Sequence, residues 1–358
     1  MFRGPQHKRS LRPNEGSVTL GEQCFDGISP AAHEAWLVNA LRKQIGYMRA
    51  AVPYWSQRLS SARVDEEKIE NVADLARLPI LTKAELRAVP PMELVPQEVR
   101  ADVAVGRWTS GTTGRPTASF WTQSDWVSLI SSTARMLSRH APIDAPTVFN
   151  AYSQAHVTGP LYHAALQKLG ATVIDRSHHP EEMFSTVQQM RLFDFDTLVM
   201  PARTVRGKSV GIDTLLDQES GLFNRNAVRW WIGSSGTFGP EIVNQARAHG
   251  IIAISNLYGS SEFAVFAISC AVHPSDFHVS EGYVLVEVVD EAGGSVRHGQ
   301  FGRIVVTHLS GIDERGAACV HRGTQLLRLA NGDGATLLSQ PCKCGLTSPR
   351  LTGIRRLE

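Results

Sequence analysis

Apolar residues recur at helical spacing over residues 30–60, with Trp36, Leu37, Ala40, Leu41 and Ile45 among them and Tyr54-Trp55 closing the stretch. The pattern predicts a helical N-terminal lobe packed on a sheet. Residues 74–89 predict a helix, a break at Pro79, and a second short helix with Thr82 as N-cap and Glu85 at the capping-box position. Residues 101–105 alternate weakly, as a strand does, and 124–139 are long enough for a helix. The period then switches repeatedly. Strands are predicted over 147–152, 171–175, 197–200, 228–232 and 251–257, and helices between them over 159–169, 183–191 and 210–216. Such alternation predicts an α/β fold with a large doubly wound, mainly parallel sheet, and ligands at the carboxyl ends of its strands. After Glu262 the texture becomes β-rich, over 282–290 and 302–309 with the turn Asp290-Glu291-Ala292-Gly293-Gly294 between, which predicts a smaller β-rich antiparallel subdomain near the C-terminus. The expected division is a helical lobe over 1–100, an α/β core over 101–265, and the β-rich subdomain over 266–358.

The chain has 358 residues, 42% of them hydrophobic, enough to bury a large core. Lys plus Arg is 36 against 34 Asp plus Glu, so the formal charge is only +2 and no basic run stands out. That balance argues against nucleic acid or an anionic membrane as partner. The first segment, MFRGPQHKRSLRPNEG, is basic without an apolar core behind it, so neither a signal peptide nor an anchor is expected there. No apolar run reaches the roughly 18 residues of a membrane helix, and a cytoplasmic protein is expected. The five cysteines, Cys24, Cys270, Cys319, Cys342 and Cys344, are odd in number, which favours reduced thiols or a metal site over a disulfide framework.

Candidate chemistry begins at Arg107 to Pro116, RWTSGTTGRP. Its core, Ser110-Gly111-Thr112-Thr113-Gly114, gathers three hydroxyls and two glycines in five positions, so bare N–H groups and short O–H donors can converge on one phosphate. No Gly-Lys-Ser/Thr follows, so it is not a Walker A loop; a flexible linker is the competing reading. Tyr258-Gly259-Ser260-Ser261-Glu262 puts an aromatic ring, a close-approach glycine and a carboxylate at the end of a predicted strand. Pro341-Cys342-Lys343-Cys344-Gly345 forms a tight knuckle, half of a tetrahedral zinc site that needs a second half. Cys270 with His273 or His278 is the available one. The competing reading makes Cys270 a buried small hydrophobe and leaves Cys342 or Cys344 as a nucleophile.

The two glycine motifs, in this order and about one hundred and fifty residues apart, resemble those of the adenylate-forming superfamily. The phrase Asp74-Leu75-Ala76-Arg77-Leu78-Pro79-Ile80-Leu81-Thr82-Lys83 resembles the N-terminal signature of its phenylacetate-CoA ligase branch, which also holds the acyl-protein synthetases of bacterial luciferase systems. The likeness runs from about Tyr54 to Arg355. It implies that Ser110, Gly111, Thr112, Thr113 and Gly114 grip the polyphosphate of ATP, that Glu262 ligates magnesium, and that Ser234, Ser235 and Gly236 of Gly233-Ser234-Ser235-Gly236 contact adenine through backbone, a plain turn being the alternative. It further implies nucleotide contacts from Tyr258, Gly259 and Ser260, and an acyl pocket lined by Tyr152, His156, Gly159 and Tyr258. Glu262 and His156 are then the catalytic candidates. The aromatic stretch over 149–162 favours a compact or aromatic carboxylate. Asp276-Phe277-His278 resembles a Gly-Leu-His phrase of zinc-containing members, which favours Cys270, His278, Cys342 and Cys344 as ligands of a structural zinc.

The likeness also has departures. Thr117 stands where many adenylating enzymes carry Lys. The ribose motif Tyr-Arg-x-x-Asp appears as His321-Arg322-Gly323-Thr324-Gln325, and the Gln325 amide is a weaker acceptor than a carboxylate. Arg350-Leu351-Thr352-Gly353-Ile354-Arg355 looks like the hinge before a mobile C-terminal domain, with Ile354 in place of an Arg. The sequence stops three residues later at Glu358, so that domain and its catalytic lysine are expected to be missing and the mechanism modified. Three readings remain open. One is ATP-dependent activation of a small carboxylic acid with transfer to a thiol, CoA or an acyl carrier protein. Another is ATP-independent acyl transfer from acyl-CoA to a carrier protein or cysteine. The third is an inactive, binding-only relative.

Overall fold

The structure, a computed structural model, describes residues 29–108, 116–176, 182–205, 210–218, 221–234, 238–280, 282–297, 299–309, 311 and 319–357. The apolar stripe of the N-terminal lobe forms two helices, α1 (Pro30–Ala51) and α2 (Pro53–Ser61). Pro53 cannot continue α1, and the residue before it, Val52, is extended at φ −128°. Leu41, Ile45, Met48, Trp55 and Leu59 are all buried in the main core. After two short 3-10 turns comes α3 (Lys83–Ala88), capped as predicted: the Thr82 hydroxyl accepts the Glu85 N–H at 3.2 Å and Glu85 Oε2 accepts the Thr82 N–H at 2.8 Å.

Strands β1 (Val103–Trp108) and β2 (Ala118–Thr122) form an antiparallel pair in which Trp108 lies opposite Ala118. The ends of the Ser/Thr/Gly segment are therefore held together, while its own residues 109–115 lie outside the described ones. Thr122 then caps α4 (Gln123–Ser138) in a box with Asp125.

The remaining strands form one sheet. In chain order they are β3 (Thr147–Asn150), β4 (Thr172–Asp175), β5 (Thr197–Val199), β6 (Trp230–Ser234), β7 (Ala253–Ser260), β8 (Ala264–Ser269), β9 (Phe277–Val279), β10 (Val284–Val289), β11 (Phe301–His308), β12 (Leu329–Leu338) and β13 (Arg350–Arg356). Their spatial order is β10-β11-β12-β13-β9-β8-β7-β6-β5-β3-β4, eleven strands. From β7 to β4 all neighbours are parallel; from β7 to β10 all are antiparallel. The β-rich region thus continues the parallel sheet edge to edge.

The parallel half is covered on both faces, because adjacent residues of each strand point opposite ways. Val148, Val199, Trp230 and Ile232 enter one core with α4 and with Leu161 and Leu166 of α5 (Thr158–Lys168). Phe149, Leu198, Met200 and Trp231 enter the other, with α6 (Glu182–Met190), α7 (Ile212–Gln218), α8 (Gly221–Asn226) and α9 (Pro240–Ala248). This is the expected doubly wound α/β arrangement. The carboxyl ends of β3, β6 and β7 carry Asn150, Ser234 and Ser260, the edge where the site lies.

Candidate functional site

β7 turns back into β8 through Ser261, Glu262 and Phe263, and the turn needs a glycine. A Cβ on Gly259 would lie 1.9 Å from the Ala264 carbonyl oxygen. The tight return drives Glu262 inward until it is 1% exposed. Its Oε1 accepts the Thr117 hydroxyl at 3.1 Å and faces the Lys83 ammonium at 3.3 Å. Oε2 is buried with no hydrogen-bond partner among the described residues, and so is the Ser260 Oγ. A buried carboxylate with one bare oxygen is costly unless a cation or donor fills it. Thr117 follows Gly114, the last of the phosphate-loop candidates, across Arg115 and Pro116, so this contact ties the loop's base to the acidic turn. Ser110, Gly111, Thr112, Thr113 and Gly114 themselves lie outside the described residues, as do Ser235 and Gly236.

Ser234 and Tyr152 meet at the ends of β6 and β3. The Ser234 N–H donates to the Tyr152 hydroxyl at 2.7 Å, which donates to the Ser234 carbonyl at 2.9 Å. Tyr152 also packs edge-on against Tyr162, centroids 5.4 Å apart. Gly159 is there by necessity, since a Cβ would sit 2.3 Å from the Ser153 carbonyl oxygen. His156 pairs its Nδ1 with the Thr158 hydroxyl at 2.9 Å in a part-buried contact. Its pKa is lowered, first by the protein packed about the ring and then by the Arg107 guanidinium, which puts it within electrostatic reach of the loop's first strand.

Tyr258 is held by two residues that the sequence reading did not single out. Its hydroxyl donates to Asp333 Oδ2 at 2.8 Å and accepts from Asn331 Nδ2 at 2.8 Å. Burial, then the Asp333 carboxylate, push its pKa far above the usual phenol value. Gln325 is not brought to this group. It is fully buried, its amide nitrogen donates to the His321 and Gly323 carbonyls, and its oxygen accepts from Gln44 at 2.7 Å. Asp125 pins the same loop by accepting the Arg322 and Gly323 N–H groups at 3.0 and 2.8 Å. The sequence signals for Lys83 are its place directly after the N-cap and at the end of the phrase Asp74 to Lys83, and neither assigns it a role.

Cys270, His278, Cys342 and Cys344 do come together, with all four ligand atoms within 4.8 Å of one another. His273 is not in the cluster. Each thiol accepts an N–H from two residues ahead: Cys270 from Val272 at 3.4 Å, Cys342 from Cys344, and Cys344 from Leu346. Against the effect of burial, the bond from Cys344 leaves the Cys342 pKa lowered, whereas burial pushes the Cys344 thiol up to about 11. Gly345 makes the knuckle possible at φ +93°. His278 Nδ1 faces the Ser348 hydroxyl at 3.0 Å, which leaves Nε2 directed at Cys344, 3.2 Å away. Burial pushes the His278 pKa down to about 4, so the ring is neutral, as a metal ligand must be. The donor set fits a tetrahedral metal ion.

Comparison with known proteins supplies the family. Residues 48–310 match the AMP-binding enzyme family, and the chain belongs to it. It is 28% identical to a phenylacetate-coenzyme A ligase of Thermus thermophilus over 327 residues, 87% of this chain and 67% of that one. It is 27% identical to the Escherichia coli phenylacetate-coenzyme A ligase over 296 residues, 80% of this chain and 64% of that one. The matched stretch thus spans about two thirds of these relatives' length. Among solved structures, 2-hydroxyisobutyryl-CoA ligase in complex with 2-HIB-AMP and CoA superposes with a TM-score of 0.77 at 19% identity, covering 94% of this chain and 70% of that one. At that identity the likeness is one of fold. No helix of the described residues is long and apolar enough to cross a membrane.

Proposed function

We propose that the protein activates a carboxylic acid, compact or aromatic, as an acyl-adenylate at the expense of ATP and passes the acyl group to a thiol of CoA or of a carrier protein. The observation that carries this reading is Glu262: a buried carboxylate with an unpartnered oxygen, joined through Thr117 to the base of a Ser/Thr/Gly loop. In it, the loop over 110–114 grips the polyphosphate and Glu262 holds magnesium, which spreads the developing charge. Ser234, Ser235, Gly236, Tyr258, Gly259 and Ser260 seat the nucleoside, and Tyr152, His156 and Gly159 shape the acyl pocket. Relatives that are CoA ligases, and a family defined by AMP binding, support it. The engaged amide of Gln325 lowers the affinity expected for ribose. The Cys270-His278-Cys342-Cys344 cluster is assigned to structural Zn²⁺, which clamps the end of β8 and strand β9 to the segment before β13. The division at about residues 100 and 265 follows these roles.

The test is ATP–pyrophosphate exchange over a panel of aryl and short acyl acids, run beside transfer from the matching acyl-CoA to a phosphopantetheinyl carrier. Magnesium-dependent exchange with at least one acid is expected, and Glu262→Gln abolishes it. Carrier acylation from acyl-CoA without ATP, unchanged in Glu262→Gln, overturns the proposal in favour of acyl transfer.

A further inference from the structure

We infer that the Asp333 carboxylate receives the two ribose hydroxyls of the nucleotide, a place that Gln325 does not fill. The inference rests on the nucleotide reading of the site and deepens it.

Asp333 stands at the hydroxyl end of the tyrosine that meets the nucleotide in this reading. Tyr258 is half-buried, its ring packed edge-on against Phe266 and Phe277 with centroids 5.3 and 6.1 Å away, and its hydroxyl donates to Asp333 Oδ2 at 2.8 Å. The other oxygen, Oδ1, faces the Arg356 guanidinium at 3.2 Å. A carboxylate offers about four acceptor positions over its two oxygens, and among the described residues only these two donors take one each. A pair of positions is left, on a side chain that keeps 17% of its surface exposed. Ribose presents the matching group, two neighbouring hydroxyls that both donate, on a sugar joined to the base. Charge-assisted bonds are about twice as strong as neutral ones, so a carboxylate beside the tyrosine selects a nucleotide that carries both hydroxyls. Gln325 is withdrawn from this edge: it is fully buried and its amide is engaged with Gln44, His321 and Gly323.

Both side chains that hold Tyr258 come from one short stretch of β12. Asn331 Nδ2 donates to the Tyr258 hydroxyl at 2.8 Å while its Oδ1 accepts the Asp333 N–H at 3.1 Å, so one amide orients the phenol and the carboxylate together. Gly332 between them lies at φ +90°, and a Cβ there would come within 3.0 Å of the Arg356 guanidinium. The strand is fixed just before this stretch, where Leu81 bridges Leu329 in parallel. The Leu81 N–H donates to the Arg328 carbonyl at 2.9 Å, and the Leu81 carbonyl accepts the Ala330 N–H at 2.9 Å. The antiparallel half of the sheet thereby delivers a carboxylate to the end of β7.

Calorimetric titration of MgATP and of the magnesium complexes of 2′-deoxyATP and 3′-deoxyATP into wild type and Asp333→Ala tests the inference. Wild type is expected to bind MgATP about tenfold more tightly than either deoxynucleotide, since each lacks one bond to a charged acceptor. In Asp333→Ala the preference disappears, MgATP falling to within about threefold of both deoxynucleotides. Should Asp333→Ala unfold, Asp333→Asn can still accept from the Tyr258 hydroxyl without the charge and is expected to lose the same preference. A carboxylate that serves only to hold Tyr258 would weaken all three nucleotides equally when replaced. An unchanged ratio in the folded variant, or a wild type that binds the three nucleotides alike, therefore overturns the role of Asp333. Wild type that exchanges pyrophosphate alongside such a result leaves the nucleotide reading standing; wild type that binds none of the three removes both.

Discussion

At the scale of single residues, the site is set by where backbone cannot yield. Gly259 lets β7 and β8 approach until no Cβ fits, and that approach buries the neighbouring Glu262. Gly259→Ala is therefore expected to cost about 2–3 kcal/mol, read by urea unfolding, and to lose magnesium-dependent nucleotide binding; a loss under about 0.5 kcal/mol would contradict the close approach. Glu262 pairs with Lys83 at 3.3 Å, and breaking a buried pair costs about 3–5 kcal/mol when one charge is left alone. That figure is an upper bound here because Lys83 is partly exposed.

At the scale of elements, short capped pieces do the positioning. Thr82→Ala removes the acceptor for the Glu85 N–H and is expected to cost about 1 kcal/mol, with weaker MgATP binding because α3 frays from the end that carries Lys83. Unchanged stability and binding would count against α3 as a support of the site. The metal cluster ties elements that share few residues in sequence. Metal analysis is expected to find about one zinc per chain and Cys342→Ser less than half of that, with a lower melting temperature for the variant. Native protein holding no zinc, with Cys342 and Cys344 freely alkylated, would exclude the closed site.

The capping box of α3, the alternation of β3 to β6 with helices, and the Cys270–Cys342–Cys344 grouping were legible because each rests on local pattern or ligand chemistry. The choice of His278 over His273 comes from the resemblance of Asp276-Phe277-His278 to a family phrase, and the pairing of β9 with β13, which sequence spacing does not contain, supplies its physical reason. Strand β12, LANGDGATLL, reads as a loop from its two glycines, Asn331 and Asp333, yet becomes ten residues of strand because β11 and β13 hydrogen-bond it on both sides. The partnership of Lys83 with Glu262 escaped for the same reason: it depends on Leu81 meeting β12.

At the scale of the whole molecule, one sheet joins the parallel half to the antiparallel half, and buried imidazoles lie where β11 ends. His308 stacks on His321 with centroids 4.0 Å apart, and both rings are fully buried. Burial holds both pKa values below the ordinary one, His308 well below it, with the His321 ring as its second cause. Unfolded imidazoles titrate near about 6.5, so below that pH the unfolded chain binds more protons. Stability is therefore fully present above about pH 6.5 and falls as the pH drops below it. Melting temperature should decline from pH 7 to 5, less steeply in His308→Gln; a flat wild-type profile would contradict the neutral pair. Adenylation itself leaves a chemical record, because the oxygen bridging acyl carbon and phosphorus comes from the acid and stays with the nucleotide after thiol attack. The most direct measurement supplies the acid that supports pyrophosphate exchange with ¹⁸O in its carboxylate, together with ATP, magnesium and a thiol acceptor, and weighs the nucleotide product by mass spectrometry. One ¹⁸O in AMP is the predicted result, whereas thioester formed without AMP, or with AMP free of label, would contradict the account.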